Sequence, residues 1–422
     1  MMPSTPQAAD MNAQPASSRN VIMLVMSLFF AFGFCTVLVD TLIPKLKALF
    51  SLSYTEVMLT QFCFFGAYFI VSLPASRLVS KLGYFESVTL GLGIMTAGCL
   101  SFTPAAQHGS YPAFLAALFI LASGVTIVQV AANPLATLAG DAKSAHSRLT
   151  LAQAFNSLAT AVGPLFGAAF ILNGALVTPD PATLSPTDLA ALRQSEGHAI
   201  QFPFMMIAAA LCVLAVVCWV CRRWAPPSHH AEAAGGFKGL LSHSRLTFGA
   251  VAIFLYVGAE VSIGSAMANY LIQKSVLGLT AKAAGSLVSV YWGSAMVGRF
   301  FGAALLNRFK PGLLLCVFAI GSGTLAAVSG MSFGMVAAVT LLAVGFCNSI
   351  MFPTIFSLAV EGLGDQVPQA SGLLCLSIVG GAVIPVVTGA VADAASLSTA
   401  LVVPVVCYVG IASYGMFCAK KK

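Results

Sequence analysis

The longest polar stretch in mid-chain reads RRWAPPSHHAEAAGGFKGLLSHSR, from Arg222 to Arg245. It holds Pro226-Pro227, the pair His229-His230 and Gly235-Gly236, residues that interrupt helices and favour loops. On both sides the sequence is almost continuously apolar. Upstream, apolar runs of about 20 residues, the length that crosses a ~30 Å hydrocarbon core, start near Val21, Glu56, Ser87, Tyr111, Leu149 and Ile200. Downstream, six more start near Leu246, Ala283, Pro311, Gly334, Ala370 and Thr399. The polar stretch therefore divides twelve predicted spans six and six.

Composition points the same way. The 422 residues are 59% hydrophobic and 8% charged, with a mean hydropathy of +0.93. A soluble domain carries roughly a quarter charged residues, so soluble enzymes, nucleic-acid binders and disordered chains are excluded. The runs are continuous, whereas a transmembrane β-barrel would alternate over ten-residue segments. The chain is expected to be an all-α integral membrane protein.

The net charge of +7 is a topology signal once it is mapped. With the N-terminus inside, Arg19, Arg77, Lys81, Lys143, Arg148, Arg222, Arg223, Lys238, Arg245, Arg299, Arg308, Lys310 and Lys420 to Lys422 fall on the cytoplasmic side. Only Lys45, Lys47, Arg193, Lys274 and Lys282 fall on the other. The positive-inside rule then puts both termini in the cytoplasm. Residues 1–18 read as a disordered cytoplasmic tail rich in Ala, Ser and Pro. The first apolar run lacks a small-residue cleavage site and reads as a retained span. The 11 Cys are scattered through the spans, and Cys218 and Cys221, although spaced C-x-x-C, sit in an apolar helix end where small hydrophobic packing is the default. No His or Cys cluster suggests a metal or a cofactor; the only ion expected is a coupling cation, a proton in preference to sodium.

Landmarks recur at about half the chain length. Ser80-Lys81 after the second span matches Asn307-Arg308 after the eighth, Pro134 matches Pro353, and Pro164 matches Pro385. Two related six-span halves with a site between them at the midplane are the organisation of major facilitator transporters. The predicted domains are residues 19–224 and 246–419, two pseudo-symmetric six-helix bundles joined by a cytoplasmic linker over 225–245. The turn from Leu73 to Gly83 resembles that superfamily's basic loop between spans two and three, with Ser80 where an Asp is usual.

Longer strings resemble one branch, the fucose:proton symporter family with its glucose/galactose and N-acetylglucosamine permeases. They are DTLIP (40–44), QFCFFGAY (61–68), QVAANP (129–134), RLTLAQAFNS (148–157), YVGAEVS (256–262), YWG (291–293) and NSIMFP (348–353). In the family's fucose symporter, acids on spans one and four form the functional pair. The resemblance carries that role to Asp40, whereas the second position is Gln129 here. Glu260 on span seven stands where the fucose symporter has an amide, a departure that resembles the glucose/galactose branch.

Ionisable groups at membrane depth are expensive and mark function by default. Glu260 lies ~21 Å along a span beginning near Leu246, at 1.5 Å per residue, inside the hydrocarbon core. Asp40, ~28 Å along span one, is close to the outer boundary, where an interfacial acid balancing Lys45 and Lys47 is the alternative. These two are the candidate coupling acids. A neutral sugar needs groups that both donate and accept, and intramembrane amides supply them: Gln61, Gln129, Asn133, Gln153, Asn156, Asn269 and Asn348. Gln129 and Asn133 are i,i+4 and Gln153 and Asn156 are i,i+3, so each pair shares a helix face. The alternative is hydrogen bonding between spans, and Asn133-Pro134 is also a candidate helix break. Glu260 and Asn269 lie on opposite sides of a straight helix; Gly258 and Gly264 would permit the bend that brings both to one cavity. Trp292 is a candidate platform for a sugar ring, with ordinary packing against Gly293 the alternative.

The function expected is secondary active import of a monosaccharide such as glucose, galactose, N-acetylglucosamine or fucose, by cation symport with alternating access in a bacterial inner membrane. The alternative is a drug or sugar efflux antiporter on the same fold; an exporter of amphipathic drugs would be expected to have an apolar, aromatic cavity, which seven amides oppose. A membrane-embedded enzyme would need a clustered acid, metal or nucleophile motif, and none is present. The expected partners are a small-molecule sugar and the lipid bilayer, without nucleic acid, and the chain is expected to work as a monomer.

Overall fold

The computed structural model describes residues 15–50, 54–107, 110–170, 185–224 and 239–420. The predicted tail over 1–18 and linker over 225–245 fall largely outside these residues. The first six long helices are α1 (Pro15–Phe50), α2 (Tyr54–Leu82), α3 (Tyr84–Gln107), α4 (Tyr111–Leu138), α5 (Ala145–Phe170) and α6 (Pro186–Val220). The second half follows as α7 (Ser244–Ile272), α8 (Ala281–Leu306), α9 (Pro311–Met331), α10 (Gly334–Asn348), α11 (Met351–Val360), α12 (Val367–Leu376), α13 (Gly380–Ala394) and α14 (Val402–Lys420). Here α10 with α11 makes one span and α12 with α13 another. Local signals set the boundaries. Ser110 and Thr280 accept from the first-turn N–H groups of α4 and α8, and Gly83 and Gly140 take positive φ where α2 and α4 end.

Ten of the spans meet a length-and-hydropathy standard for crossing a membrane among the described residues, and α5 and α8 are not among them. Those two helices carry Gln153, Asn156 and Ser157, and Arg299. They pack against each other, α5 from the first bundle and α8 from the second. The two helices below that standard thus meet at the interface between the halves, where a side chain need not face lipid.

One break falls at a proline. Pro353 has no N–H, so the carbonyl of Ser349, four residues back, loses its helical donor. The helix breaks there, between α10 and α11, and Nε of Arg299 donates to that carbonyl at 3.3 Å. Pro134 does the same to Val130, whose carbonyl accepts from Oγ of Ser371 at 2.7 Å across the bundle interface. There α4 nevertheless runs unbroken through Asn133-Pro134. The two prolines matched by the half-chain repeat therefore each free a carbonyl that a distant residue caps.

Candidate functional site

Glu260 stands 16 residues into α7 and 12 from its end, ~24 and ~18 Å from the two termini of the helix. Its Oε1 accepts from the Tyr256 hydroxyl at 2.8 Å, one turn back on the same face. The same oxygen lies 3.9 Å from the Arg299 guanidinium on α8, with the two side chains only 13% and 11% exposed. An isolated carboxylate at this depth would cost several kcal/mol. The facing cation and the hydroxyl offset that cost.

A polar chain leads away from this pair through the second bundle. The Tyr291 hydroxyl donates to the Glu260 carbonyl at 3.4 Å and accepts from Nδ2 of Asn348 at 3.0 Å. Oδ1 of Asn348 in turn accepts from Oγ of Ser322 at 3.0 Å. Asn348 is fully buried with both ends of its amide bonded inside the bundle, behind the cavity rather than on its wall.

Arg299 also reaches the other bundle. Its Nη1 donates to the hydroxyl of Ser157 and, at 3.4 Å, to the carbonyl of Gln153, both on α5. Charge counting along the sequence put Arg299 on the cytoplasmic side together with the loop cations, but its position is within a helix. It lies seven residues inside the end of α8, ~10 Å from Leu306, and pairs with an acid. Sequence reading also missed Tyr256, although its i,i+4 spacing from Glu260 was a visible signal. Tyr291 and Ser322 had no local signal.

A cavity of ≈ 330 Å³ lies between the bundles, walled by Thr36, Gln61 and Phe65 on one side and Val261, Ser265 and Trp292 on the other. Val261 and Trp292 are the chain neighbours of Glu260 and Tyr291, so the polar cluster sits directly behind this wall. Trp292 is 41% exposed, stands edge-on to Tyr291 with ring centroids 5.1 Å apart, and packs on Gly264. A Cβ on Gly264 would come within 2.8 Å of the indole, and one on Gly258 within 2.3 Å of Ile384. These glycines allow close helix approach, and α7 stays one unbroken helix. Asn269 is accordingly exposed on the far side, apart from Glu260. A larger hollow of ≈ 770 Å³ lies between α9 and α14 of the second bundle, is mostly apolar, and holds none of the candidate residues.

The remaining amides divide by what they bond. Asn156 donates from Nδ2 to the Phe29 carbonyl at 3.0 Å, tying α5 to α1. Asn133 is fully buried at the bundle interface; its Nδ2 is 3.9 Å from Sγ of Cys375 and its Oδ1 has no partner. Gln129 is half-buried on α4 and makes no side-chain hydrogen bond among the described residues. Gln153 is 7% exposed; its main-chain carbonyl accepts from Arg299, and its side chain makes no hydrogen bond among the described residues. Asp40 falls within α1, but its side chain lies outside the described residues. Among the described residues, no three His, Cys, Asp or Glu side chains gather as metal ligands.

The bundles close at the end that carries the basic loops. Ser371 bonds Val130, Ser147 Oγ donates to the Ala303 carbonyl at 2.7 Å, and Nδ1 of His146 lies 2.5 Å from Oγ of Ser357. His146 is on the first turn of α5, before its apolar run. Burial, with the Arg148 charge adding to it, pushes the imidazole down to about 4. The cavity lies toward the opposite end of the same interface.

Residues 23–385 match the Major Facilitator Superfamily model. The chain is 45% identical over its full length, and over the full length of the relative, to the glucose/galactose transporter of Brucella abortus biovar 1 (strain 9-941). It is 32% identical to the L-fucose-proton symporter of Escherichia coli (strain K12), covering 97% of this chain and 96% of that one. The crystal structure of FucP, a major facilitator transporter in the outward conformation, matches with a TM-score of 0.89 at 31% identity, covering 96% of this chain and all of that one.

Proposed function

Because the chain belongs to the major facilitator superfamily, we propose that it imports a neutral hexose of the glucose/galactose kind by proton symport, with Glu260 as the proton-carrying group. One observation carries this: a buried carboxylate, the chain neighbour of the cavity-lining Val261, is held by a hydroxyl and by a guanidinium that also grips the amide-bearing helix α5. The relatives' names support a sugar as cargo, and Thr36, Thr60, Gln61 and Ser265 on the cavity wall, beside Phe64, Phe65 and Trp292, offer it hydrogen-bonding groups next to aromatic faces. Gln129, Gln153 and Gln61, whose side-chain amides bond no other residue among the described ones, are the proposed sugar contacts, with Trp292 as the ring platform; Gln61 and Trp292 line the cavity itself. Asp40 is the proposed second acid on the proton's path.

The closed end bears the excess of Lys and Arg, which makes it the cytoplasmic end under the positive-inside rule. The state described is then outward-facing, with both termini in the cytoplasm of a bacterial inner membrane. Uptake of radiolabelled glucose, galactose, N-acetylglucosamine and fucose into proteoliposomes tests the proposal. An inward proton gradient should drive accumulation of a hexose and an inward sodium gradient should not. Sodium-driven accumulation would overturn the coupling ion, and no uptake of any of the four would overturn the substrate class.

A further inference from the structure

We propose that Arg299 is the residue through which proton and sugar sites sense each other. The proposal rests on the proton-carrying role of Glu260 and adds to it the physical link to the opposite bundle. The guanidinium has five N–H donors in a fixed fork, and its nitrogens are shared between three elements. Nε goes to the Ser349 carbonyl at the break between α10 and α11, Nη2 faces Glu260 at 3.9 Å, and Nη1 goes to Ser157 and the Gln153 carbonyl on α5. At 3.9 Å the acid is outside hydrogen-bond distance, whereas the α5 contacts are made. Arg299 therefore divides itself between an acid in its own bundle and a helix in the other.

An ionised Glu260 draws the guanidinium toward itself. A protonated Glu260 leaves it to α5, where it fixes the turn bearing Gln153. The charge on one bundle thus sets the order of α5, the helix of the other bundle that bears the proposed sugar contact Gln153. Coupling of this kind is reciprocal: sugar that orders α5 must favour the protonated acid by the same factor. The other titratable groups facing the pair are the hydroxyls of Tyr256 on α7, Tyr291 on α8 and Tyr408 on α14. Charged residues on the packed elements otherwise stand at helix ends: Arg245 with Glu361, Asp393 on α13, Lys420 on α14, and His146 and Arg148 at the start of α5, with His146 held by Ser357.

The test is equilibrium binding of D-glucose and D-galactose to the purified full-length protein across about pH 5–9, the range a buried carboxyl can titrate in. Wild type should bind more tightly at acid pH, by about tenfold in Kd, within the usual range of coupling. Glu260→Gln should be flat with pH. The decisive variant is Ser157→Ala, a small change that leaves the Glu260–Arg299 pair intact. It should shrink the pH-dependent span in Kd to about a third or less while keeping its midpoint, and Arg299→Lys should shrink it as well. If Arg299 served only as a counter-charge, Arg299→Lys would leave the span intact and Ser157→Ala would leave the whole profile unchanged. If Ser157 merely touched sugar, Kd would rise equally at every pH. Either result, with Glu260→Gln flat, overturns the link and leaves Glu260 as the proton carrier. A Glu260→Gln profile as steep as wild type overturns Glu260 itself.

Discussion

Nδ1 of His146 on α5 and Oγ of Ser357 on α11 are 2.5 Å apart, a contact between the two bundles at the end where they close. The imidazole is neutral there because burial holds it at about 4, below its ordinary 6.5. An unfolded or opened chain binds a proton at this site between those two values, and the closed one does not. The stability it confers is fully present above pH 6.5 and is lost as the pH falls toward 4, with a ceiling of about 3 kcal/mol at 1.4 kcal/mol per pH unit. The melting temperature of wild type should fall more steeply from pH 6.5 to 4 than that of His146→Gln. Parallel curves would contradict the contact.

Gly372 on α12 faces Ser76 on α2 across the same interface, and a Cβ at Gly372 would lie 2.4 Å from the Cβ of Ser76. Gly372→Leu should therefore prevent the closed end from forming and hold the transporter open to the cytoplasm. Cys375, one turn along and fully buried among these helices, is a native reporter. Its alkylation by N-ethylmaleimide, read by peptide mass spectrometry, should rise at least tenfold in the variant. Unchanged labelling in a folded sample would argue against closure at this seam.

The amides should separate into two groups. Gln129→Ala and Gln153→Ala should weaken hexose binding by roughly three- to tenfold, the value of one hydrogen bond, without lowering the melting temperature. Asn156→Ala leaves the Phe29 carbonyl without its donor at the α1–α5 contact. It should cost about 1–3 kcal/mol of stability, seen as a lower melting temperature. An Asn156→Ala protein as stable as wild type, with binding lost, would reverse its assignment.

The all-helical, membrane-spanning fold and the place of Glu260 deep within a long helix were legible because each depends only on local hydropathy and on 1.5 Å per residue. The opposite placement of Glu260 and Asn269 followed from the helical period in the same way. The pairing of Arg299 was not read because the positive-inside rule counts cations by side and not by partner; its position nine residues short of Arg308, inside an apolar run, was the missed signal. The chain through Tyr291, Asn348 and Ser322 joins helices up to 57 residues apart, and no periodicity reports such contacts. The freed carbonyls of Val130 and Ser349 were implied by Pro134 and Pro353, but their donors, Ser371 and Arg299, belong to tertiary packing.

The central claim is that Glu260 carries the coupled proton, and Glu260→Gln tests it most directly. Glutamine keeps the shape and can still accept from Tyr256, but it cannot release a proton. Counterflow of hexose needs no net proton movement, whereas accumulation against a gradient does. Measured on the same vesicles, Glu260→Gln should retain counterflow within about threefold of wild type, a change of under 1 kcal/mol in barrier, and lose all proton-driven accumulation. Accumulation against the gradient with wild-type pH dependence would contradict the role assigned to Glu260.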